Sequence, residues 1–159
     1  MKKLLALPLL FAALIAGSGT VHAAPPTSAD ESDTLPGGVF CDFDVTYTLT
    51  GKTKTITNGN VTTVTSPGQK ITLTNDETDK SVSYVITGVR RQVDVDAAQD
   101  YREVIVTGRN IVVNGPDSVK QGIYVLVGDF NYAIYTDPFS EKRVFSGAGQ
   151  VIDVCAALS

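Results

Sequence analysis

The sequence predicts an all-β protein, an antiparallel β-sandwich of jelly-roll or immunoglobulin-like type with about eight to ten short strands. Residues 39–50 alternate between apolar and polar side chains, as a strand with one buried and one wet face does. Short segments rich in Val, Thr and Ile follow, and turn residues separate them at intervals of roughly 8–12 residues. No segment of the predicted domain has the period of an amphipathic helix, so an all-β architecture is expected.

The first predicted strand defines the core face of the domain. Its odd positions from Cys41 to Leu49 are apolar, whereas Asp42 and Asp44 lie on the opposite face. A slip of one residue would bury both carboxylates, and an unpaired buried charge is strongly destabilising. We therefore expect the odd positions to face the core. Later strands contribute their apolar sides, namely Ile71, Leu73, Val82, Tyr84, Ile86, Val125 and Val127.

The residues that precede this strand are expected to lie outside the domain. Residues 1–23 have the layout of a secretory signal peptide, with Lys2 and Lys3 before an apolar segment too short to span a membrane. A retained membrane anchor is the alternative. Residues 24–38 are rich in Pro, Ala, Ser and acidic residues, a composition typical of a flexible leader. The domain is therefore predicted to comprise residues 39–159, in a protein that is secreted.

Turn residues divide the rest of the domain into short strands. Asn58-Gly59 is the strongest hairpin signal, and Gly128-Asp129 predicts a tight turn between two further strands. Gly108 predicts a bulge or bend. The closing strand, residues 151–155, places Cys155 on the same face as Asp153. The other predicted strands are residues 53–57, 60–65, 69–74, 81–87, 89–95, 103–107, 110–113, 122–127, 130–135 and 142–145.

Cys41 and Cys155 are the two cysteines of the 159-residue chain. In an exported protein the simplest interpretation is one disulfide between them, which would join the first predicted strand to the last. Two free thiols or an intermolecular bridge are the alternatives.

Charge and composition exclude several classes of function. The chain has 13 basic and 17 acidic residues, and loss of Lys2 and Lys3 would leave 11 basic ones. With so few adjacent basic pairs, nucleic acid and anionic membranes are not expected as partners. The single histidine, His22, lies in the predicted signal peptide. The mature protein would therefore lack the group that Ser-His-Asp and Cys-His catalysis require.

One turn is a candidate metal site. Asp76, Glu77 and Asp79 crowd into residues 75–80, and carboxylate oxygens are the ligands that calcium takes. A weak calcium site is therefore one interpretation, and a solvated turn is the other. No cofactor is expected.

Paired carboxylates raise the question of hydrolysis. Asp42 with Asp44, and Asp94 with Asp96, share strand faces at a Cα spacing of about 6.5–7 Å, which carboxylate-based hydrolysis permits. A catalytic carboxylic acid, however, needs an apolar cleft, and these faces are expected to be solvated.

Aromatic residues offer one candidate interaction surface. Phe130, Tyr132 and Ile134 fall on one face of a predicted strand, with Ala133 and Tyr135 on the other. The simplest interpretation is core on one side and an ordinary sheet face on the other. A patch that binds a protein partner or a glycan is the alternative.

Short motifs along the chain resemble those of a known family. The motifs are Gly-Val-Phe-Cys-Asp-Phe at residues 38–43, Leu-Thr-Asn at 73–75, Thr-Asp-Lys-Ser-Val at 78–82, Thr-Gly-Arg-Asn at 107–110 and Asp-Val-Cys-Ala-Ala-Leu-Ser at 153–159. With the signal peptide and the acidic leader, they resemble a family of small, uncharacterised secreted proteins of actinobacteria. The resemblance implies secretion, a β-rich fold and pairing of Cys41 with Cys155. It implies no catalytic residue.

The expected function is therefore that of a secreted, monomeric, non-enzymatic β-sandwich. Such a module would bind an extracellular protein or a glycan, or act as a structural part of the cell envelope. An extracellular hydrolase built on carboxylates is the alternative. A buried pair of acidic side chains in a deep pocket would favour that alternative, and scattered surface carboxylates would favour binding.

Overall fold

The computed structural model describes residues 22–23, 25–96, 100–136 and 139–159. These residues form an antiparallel β-sandwich, in which a nine-stranded sheet packs on a four-stranded sheet. The predicted all-β class is confirmed. The predicted signal peptide lies outside the described residues, apart from His22 and Ala23.

Thirteen strands and one short helix make up the described part of the chain. The larger sheet contains β1 (His22–Ala23), β2 (Thr27–Ser28), β5 (Lys52–Asn58), β6 (Val61–Thr65), β9 (Val89–Asp96), β10 (Tyr101–Thr107), β11 (Arg109–Asn114), β12 (Gly122–Thr136) and β13 (Phe139–Asp153). The smaller sheet contains β3 (Glu31–Leu35), β4 (Val45–Thr50), β7 (Gln69–Asn75) and β8 (Ser81–Ile86). The helix α1 is Val154–Leu158.

Each of the two sheets has its own order of strands. The larger sheet runs β1-β5-β6-β9-β10-β12-β11, with β13 also paired with β12 and β2 with β5. The smaller sheet runs β3-β4-β7-β8. No helix in the described part of the chain has the length and apolarity needed to cross a membrane.

The principal core lies between the two sheets. Its buried members are Cys41, Val45, Ile71, Leu73, Ile86, Ile123, Val125, Val154 and Leu158. Partly buried side chains that pack against them include Phe43, Tyr47, Leu49, Val82, Tyr84 and Val127. Every residue that alternation predicts for the core is therefore part of it. The reason is that the apolar face of each strand must be removed from water.

The first strand is shorter than its alternation predicts. Strand β4 begins at Val45, and residues 39–44 form turns and bends instead. The Gly38 backbone N–H donates to the Cys41 carbonyl at 2.7 Å, and the Asp44 carboxylate accepts from the Gly37 N–H at 2.6 Å. These local bonds curl the chain, so Cys41 reaches the core without belonging to a strand.

The domain also begins earlier than composition predicts. Residues 31–35, expected in a flexible leader, form the edge strand β3, which pairs with β4 from Glu31 opposite Leu49 to Leu35 opposite Val45. Most of its side chains are exposed, so burial does not account for its position. The position of β3 is instead set by backbone pairing with β4. The Tyr47 hydroxyl also donates a 2.5 Å hydrogen bond to the Glu31 carboxylate. Composition could not reveal it, because these partners are distant in sequence.

The bond between Tyr47 and Glu31 predicts a measurable pH dependence. The hydrogen bond to Glu31, aided by burial, raises the pKa of Tyr47 from 10.0 to about 12. Between these values the unfolded chain loses the phenolic proton while the folded protein keeps it. The folded state then binds more protons, so this contribution to stability is present below pH 10 and is lost as the pH rises towards 12. In Glu31→Gln we expect the Tyr47 pKa to fall towards 10, measured as an earlier rise of phenolate absorbance.

Glu77→Gln is the matched control, because Glu77 is an exposed carboxylate in the turn after β7. Its titration curve should coincide with that of the wild type. Identical curves for Glu31→Gln and the wild type would show that the bond does not hold the phenolic proton.

The longest strands lie in the second half of the chain, where the sequence predicts shorter ones. The hairpin predicted at Gly128-Asp129 is wrong, because β12 passes through it without reversing. Pairing with β13 continues there, with Gly128 opposite Gly149 and Phe130 opposite Gly147. The residues predicted as separate strands at 142–145 and 151–155 likewise belong to, or lead out of, the single strand β13. The glycines allow a sharp bend in paired strands rather than a turn.

This bend builds a second core. Strands β10 and β11, which are separated at Gly108, both pair with β12. Strand β10 pairs with the C-terminal half of β12, and β11 pairs with the N-terminal half of β12. The predicted bend at Gly108, where φ is +75°, is confirmed. The bent sheet encloses a cluster of buried side chains on one face, namely Val104, Val106, Leu126, Phe130 and Phe145.

A disulfide closes the domain between Cys41 and Cys155, with the Cα atoms 5.4 Å apart, as predicted. The closing strand ends at Asp153, and Cys155 lies in α1 rather than on the strand. The Asp153 carboxylate caps this helix by accepting from the Ala156 N–H at 3.0 Å. The helical turn redirects Cys155, which explains why strand alternation places it on the wrong face.

Candidate functional site: a cleft beside Arg90 and Tyr132

The predicted calcium residues do not form a metal site in the described part of the chain. Asp76, Glu77 and Asp79 lie exposed in the turn between β7 and β8. The Thr46 hydroxyl donates to the Asp76 carboxylate at 2.9 Å, and the Glu77 backbone N–H donates to the side-chain oxygen of Asn75 at 2.9 Å. No group of three or more potential metal-ligating side chains occurs among the described residues. The calcium hypothesis therefore gains no support.

The predicted carboxylate pairs have separate partners. Asp44 accepts from Gly37, as described above, and Asp94 forms an ion pair with Arg102 at 2.6 Å. The side chain of Asp96 lies outside the described residues. Asp42 is exposed in the bend before β4. Asp42 and Asp44 are both exposed, so this pair does not lie in an apolar cleft.

Asp42 does line a depression beside the disulfide, of about 240 Å³. Asp153 lines it too, but one of its carboxylate oxygens already caps α1. Both carboxylates are exposed, whereas a catalytic carboxylic acid needs burial. Burial, with the charges of Asp153 and Glu141, raises the pKa of the neighbouring Tyr124. This depression is one place where two carboxylates line the same surface.

The predicted aromatic strand has two different faces. Phe130 is buried in the second core, and Tyr132 and Ile134 pack against it, so the core interpretation of this face is confirmed. On the other face Ala133 is buried, and Tyr135 contacts Tyr101 with ring centroids 5.9 Å apart. The face that carries Tyr132 is therefore partly enclosed.

A cleft opens on that face, and we call it the Arg90 cleft. Its volume is about 290 Å³. Strand β9 contributes its cationic and amide groups, β11 one wall and β12 the other. The lining residues are Arg90, Gln92, Ile111, Val112, Val113, Asn114, Tyr132 and Ile134.

Strand register explains why these side chains converge. Directly opposed residues in antiparallel strands share a face, and Val104 of β10 lies opposite both Gln92 of β9 and Tyr132 of β12. Val106 lies opposite Arg90 in the same way. These side chains therefore form one surface. The bend at Gly108 then brings β11 against β9 and forms a wall over that surface.

Arg90 and Tyr132 both line the cleft, where Arg90 is exposed and Tyr132 is partly buried. Burial raises the pKa of the Tyr132 hydroxyl above its ordinary value of 10.0, and the charge and hydrogen bond of Arg90 partly oppose that rise. The hydroxyl therefore stays protonated at neutral pH. Arg90 takes part in neither the Arg102–Asp94 nor the Arg143–Glu103 ion pair.

Arg90 and Ile111 also line a second cavity, the inter-sheet cavity, of about 200 Å³. Its walls come from both sheets and include the buried amides Gln69 and Asn110. The Asn110 amide donates to the Thr107 carbonyl at 2.9 Å. Arg90 thus stands between two cavities, one within the sandwich and one on the bent sheet.

Sequence reasoning did not find this site. In the sequence Arg90 is half of the adjacent basic pair Arg90-Arg91, and alternation places it on the polar face of β9. That face is polar, but β11 partly covers it. The one signal in the sequence is that Arg90 and Gln92 lie on the same face of the strand, whereas Arg91 lies on the other. Two polar residues on one strand face are too common to indicate a site.

The fold and cleft define an antiparallel β-sandwich closed by a disulfide, with polar donors gathered on the bent larger sheet. Comparisons with protein-family models, with curated proteins and with solved structures found no match.

Proposed function

We propose that this protein is a secreted, non-enzymatic β-sandwich that binds a ligand in the Arg90 cleft. The observation that supports this function best is the character of the cleft lining. Arginine, amide and tyrosine groups converge between apolar walls, and no carboxylate, cysteine, serine or histidine is among the lining residues. Such a lining can orient a ligand, but it offers no nucleophile with an adjacent base.

Secretion is supported by two independent features. Residues 1–23 have the layout of a signal peptide, and a disulfide closes the domain. Disulfides persist mainly in oxidising compartments outside the cytoplasm. The size of the cleft favours a small molecule, or one unit of a glycan, over a broad protein surface.

The test uses protein recovered from the medium of cells that express the full chain. We expect the recovered protein to lack residues 1–23, as measured by mass spectrometry. A screen of small molecules and monosaccharides by ligand-observed nuclear magnetic resonance should then give binders. Binding should be lost in Val113→Trp, because Val113 lines the cleft and is 37% exposed, so a larger side chain there can narrow the cleft.

Val85→Trp is the matched control, since Val85 is 49% exposed on β8 and does not line the cleft. It should bind like the wild type. Ligands should also be recovered chemically unchanged. Binders that Val113→Trp does not affect would contradict the assignment of the cleft. Turnover of a ligand that Asp42→Asn abolishes would favour the hydrolase at the disulfide depression instead.

A further inference from the structure

We propose that the ligand of the Arg90 cleft is a small molecule with a single carboxylate on an apolar body. The carboxylate would be bound by Arg90, with Tyr132 and Gln92 as additional donors. This inference rests on the proposed function and adds the chemical class of the ligand.

The charge of the cleft indicates the charge of the ligand. Arg90 is the one charged residue among the cleft's lining residues, and no carboxylate is among them. Arg90 is exposed beside the apolar walls, and its planar guanidinium matches a carboxylate, which it can bind through two parallel hydrogen bonds. A phosphate monoester carries nearly two negative charges and would leave one of them uncompensated. A carboxylate balances the single guanidinium.

The donors around Arg90 are arranged for the same group. A guanidinium has no acceptor atom, so the Tyr132 hydroxyl cannot donate to the neighbouring Arg90. The hydroxyl proton of Tyr132 is then available for a ligand oxygen. Gln92 lies two residues from Arg90 on the same strand face, at a Cα spacing of about 6.5–7 Å, so its amide can donate beside the guanidinium.

The rest of the lining indicates an apolar body. Val112 and Ile134, which pack on the second core, bring hydrocarbon side chains to the lining. Tyr132 and Ile134 also pack against the second core, so the base of the cleft is held in place. A small aromatic or aliphatic group would remove these walls from water, which a sugar with its hydroxyls would do less well.

The probes are benzoate and hexanoate, with benzamide and hexanamide as uncharged counterparts and glucuronate as a carboxylate on a sugar. Binding to the secreted protein is measured by chemical-shift titration. We expect benzoate or hexanoate to bind at least 10-fold more tightly than its amide and than glucuronate. Arg90→Gln should weaken carboxylate binding by about 10- to 100-fold, the range for loss of a charged hydrogen-bonded contact. The affinity of Arg90→Lys for the carboxylate should lie between those of the wild type and Arg90→Gln, because lysine keeps the charge and loses the planar guanidinium.

Arg91→Gln is the matched control, because it removes the same charge from the opposite face of the same strand. It should leave binding unchanged. Equal losses in Arg90→Gln and Arg91→Gln would overturn the proposal, since only the overall charge would then matter. Thermal unfolding of both Arg90 variants shows whether they fold like the wild type. If both melt like the wild type and also bind benzoate as tightly as the wild type, the proposal is wrong.

The outcomes separate this inference from the proposed function. If amides bind as tightly as carboxylates, or glucuronate binds best, while Val113→Trp still abolishes binding, the function stands and the ligand class is wrong. If neither carboxylate binds, the ligand class is wrong whatever the wider screen shows. If the wider screen also yields no ligand that Val113→Trp displaces, both fail.

Discussion

Replacing both cysteines, as Cys41→Ala with Cys155→Ala, is expected to lower the free energy of unfolding by about 4–5 kcal/mol. The disulfide closes a loop with a sequence separation of 114 residues, so its loss greatly increases the conformational freedom of the unfolded chain. Cys41 is also 6% exposed within the principal core, so its replacement removes buried contacts as well. Chemical denaturation of the variant and the wild type measures the difference.

The reductant provides the control for this prediction. Reduced wild type should unfold at nearly the same denaturant concentration as the double variant, and the double variant should not respond to reductant. The C-terminal residues have further anchors, because the Lys80 ammonium donates to the Ser159 carbonyl at 2.5 Å and the Asn75 amide to the Leu158 carbonyl at 3.2 Å. The loss should therefore appear in the global transition. A loss below about 1.5 kcal/mol would contradict the loop-closure account.

Gly128→Ala is expected to destabilise the protein by about 4 kcal/mol, from backbone strain and overpacking together. Gly128 has φ of +132°, a conformation that residues with a Cβ rarely adopt. An added Cβ would overlap the Ala148 carbonyl oxygen and lie 2.9 Å from the Gly149 Cα. Both neighbours are backbone atoms of the paired strand β13, so they cannot move aside as a flexible side chain could. Thermal or chemical unfolding measures the effect.

Gly59→Ala separates the two causes. Gly59 also has a positive φ, of +58°, but an added Cβ there would meet nothing within 4 Å. Only the strain of the backbone at positive φ remains, so the free energy of unfolding is expected to fall by about 1–2 kcal/mol. Equal losses in the two variants would show that close packing of β12 on β13 does not require a glycine. Because the bend at Gly128 accompanies the one at Gly108 that positions β11, a folded Gly128→Ala protein should also bind ligands in the Arg90 cleft more weakly.

Much of the architecture could be predicted from local pattern. Val45, Ile71, Leu73 and Val125 are buried where alternation places them. The pairing of Cys41 with Cys155 follows from the presence of two cysteines in a chain with features of export. These predictions succeed because they depend on residue type and on a period of two, and both are visible in any short window of sequence.

The Arg90 cleft could not be predicted in the same way. Alternation shows that Arg90, Gln92 and Tyr132 lie on particular strand faces, but a polar strand face is usually solvated. It becomes a cleft here because β11 contacts β9 after the bend at Gly108. A glycine next to an aspartate is equally typical of a hairpin turn and of a bent strand, so residue types did not distinguish the two.

The sequence by itself determined the all-β class, the buried face of most strands and the disulfide, because period-two alternation and the cysteine count require no distant information. Tertiary structure alone decided that Glu31–Leu35 is an edge strand, that β12 continues through Gly128, and that Arg90 lies beside Tyr132. Each of these depends on backbone pairing between segments far apart in the chain. Main-chain hydrogen bonds are available to nearly every residue, so the identity of the residues does not specify which segments will pair.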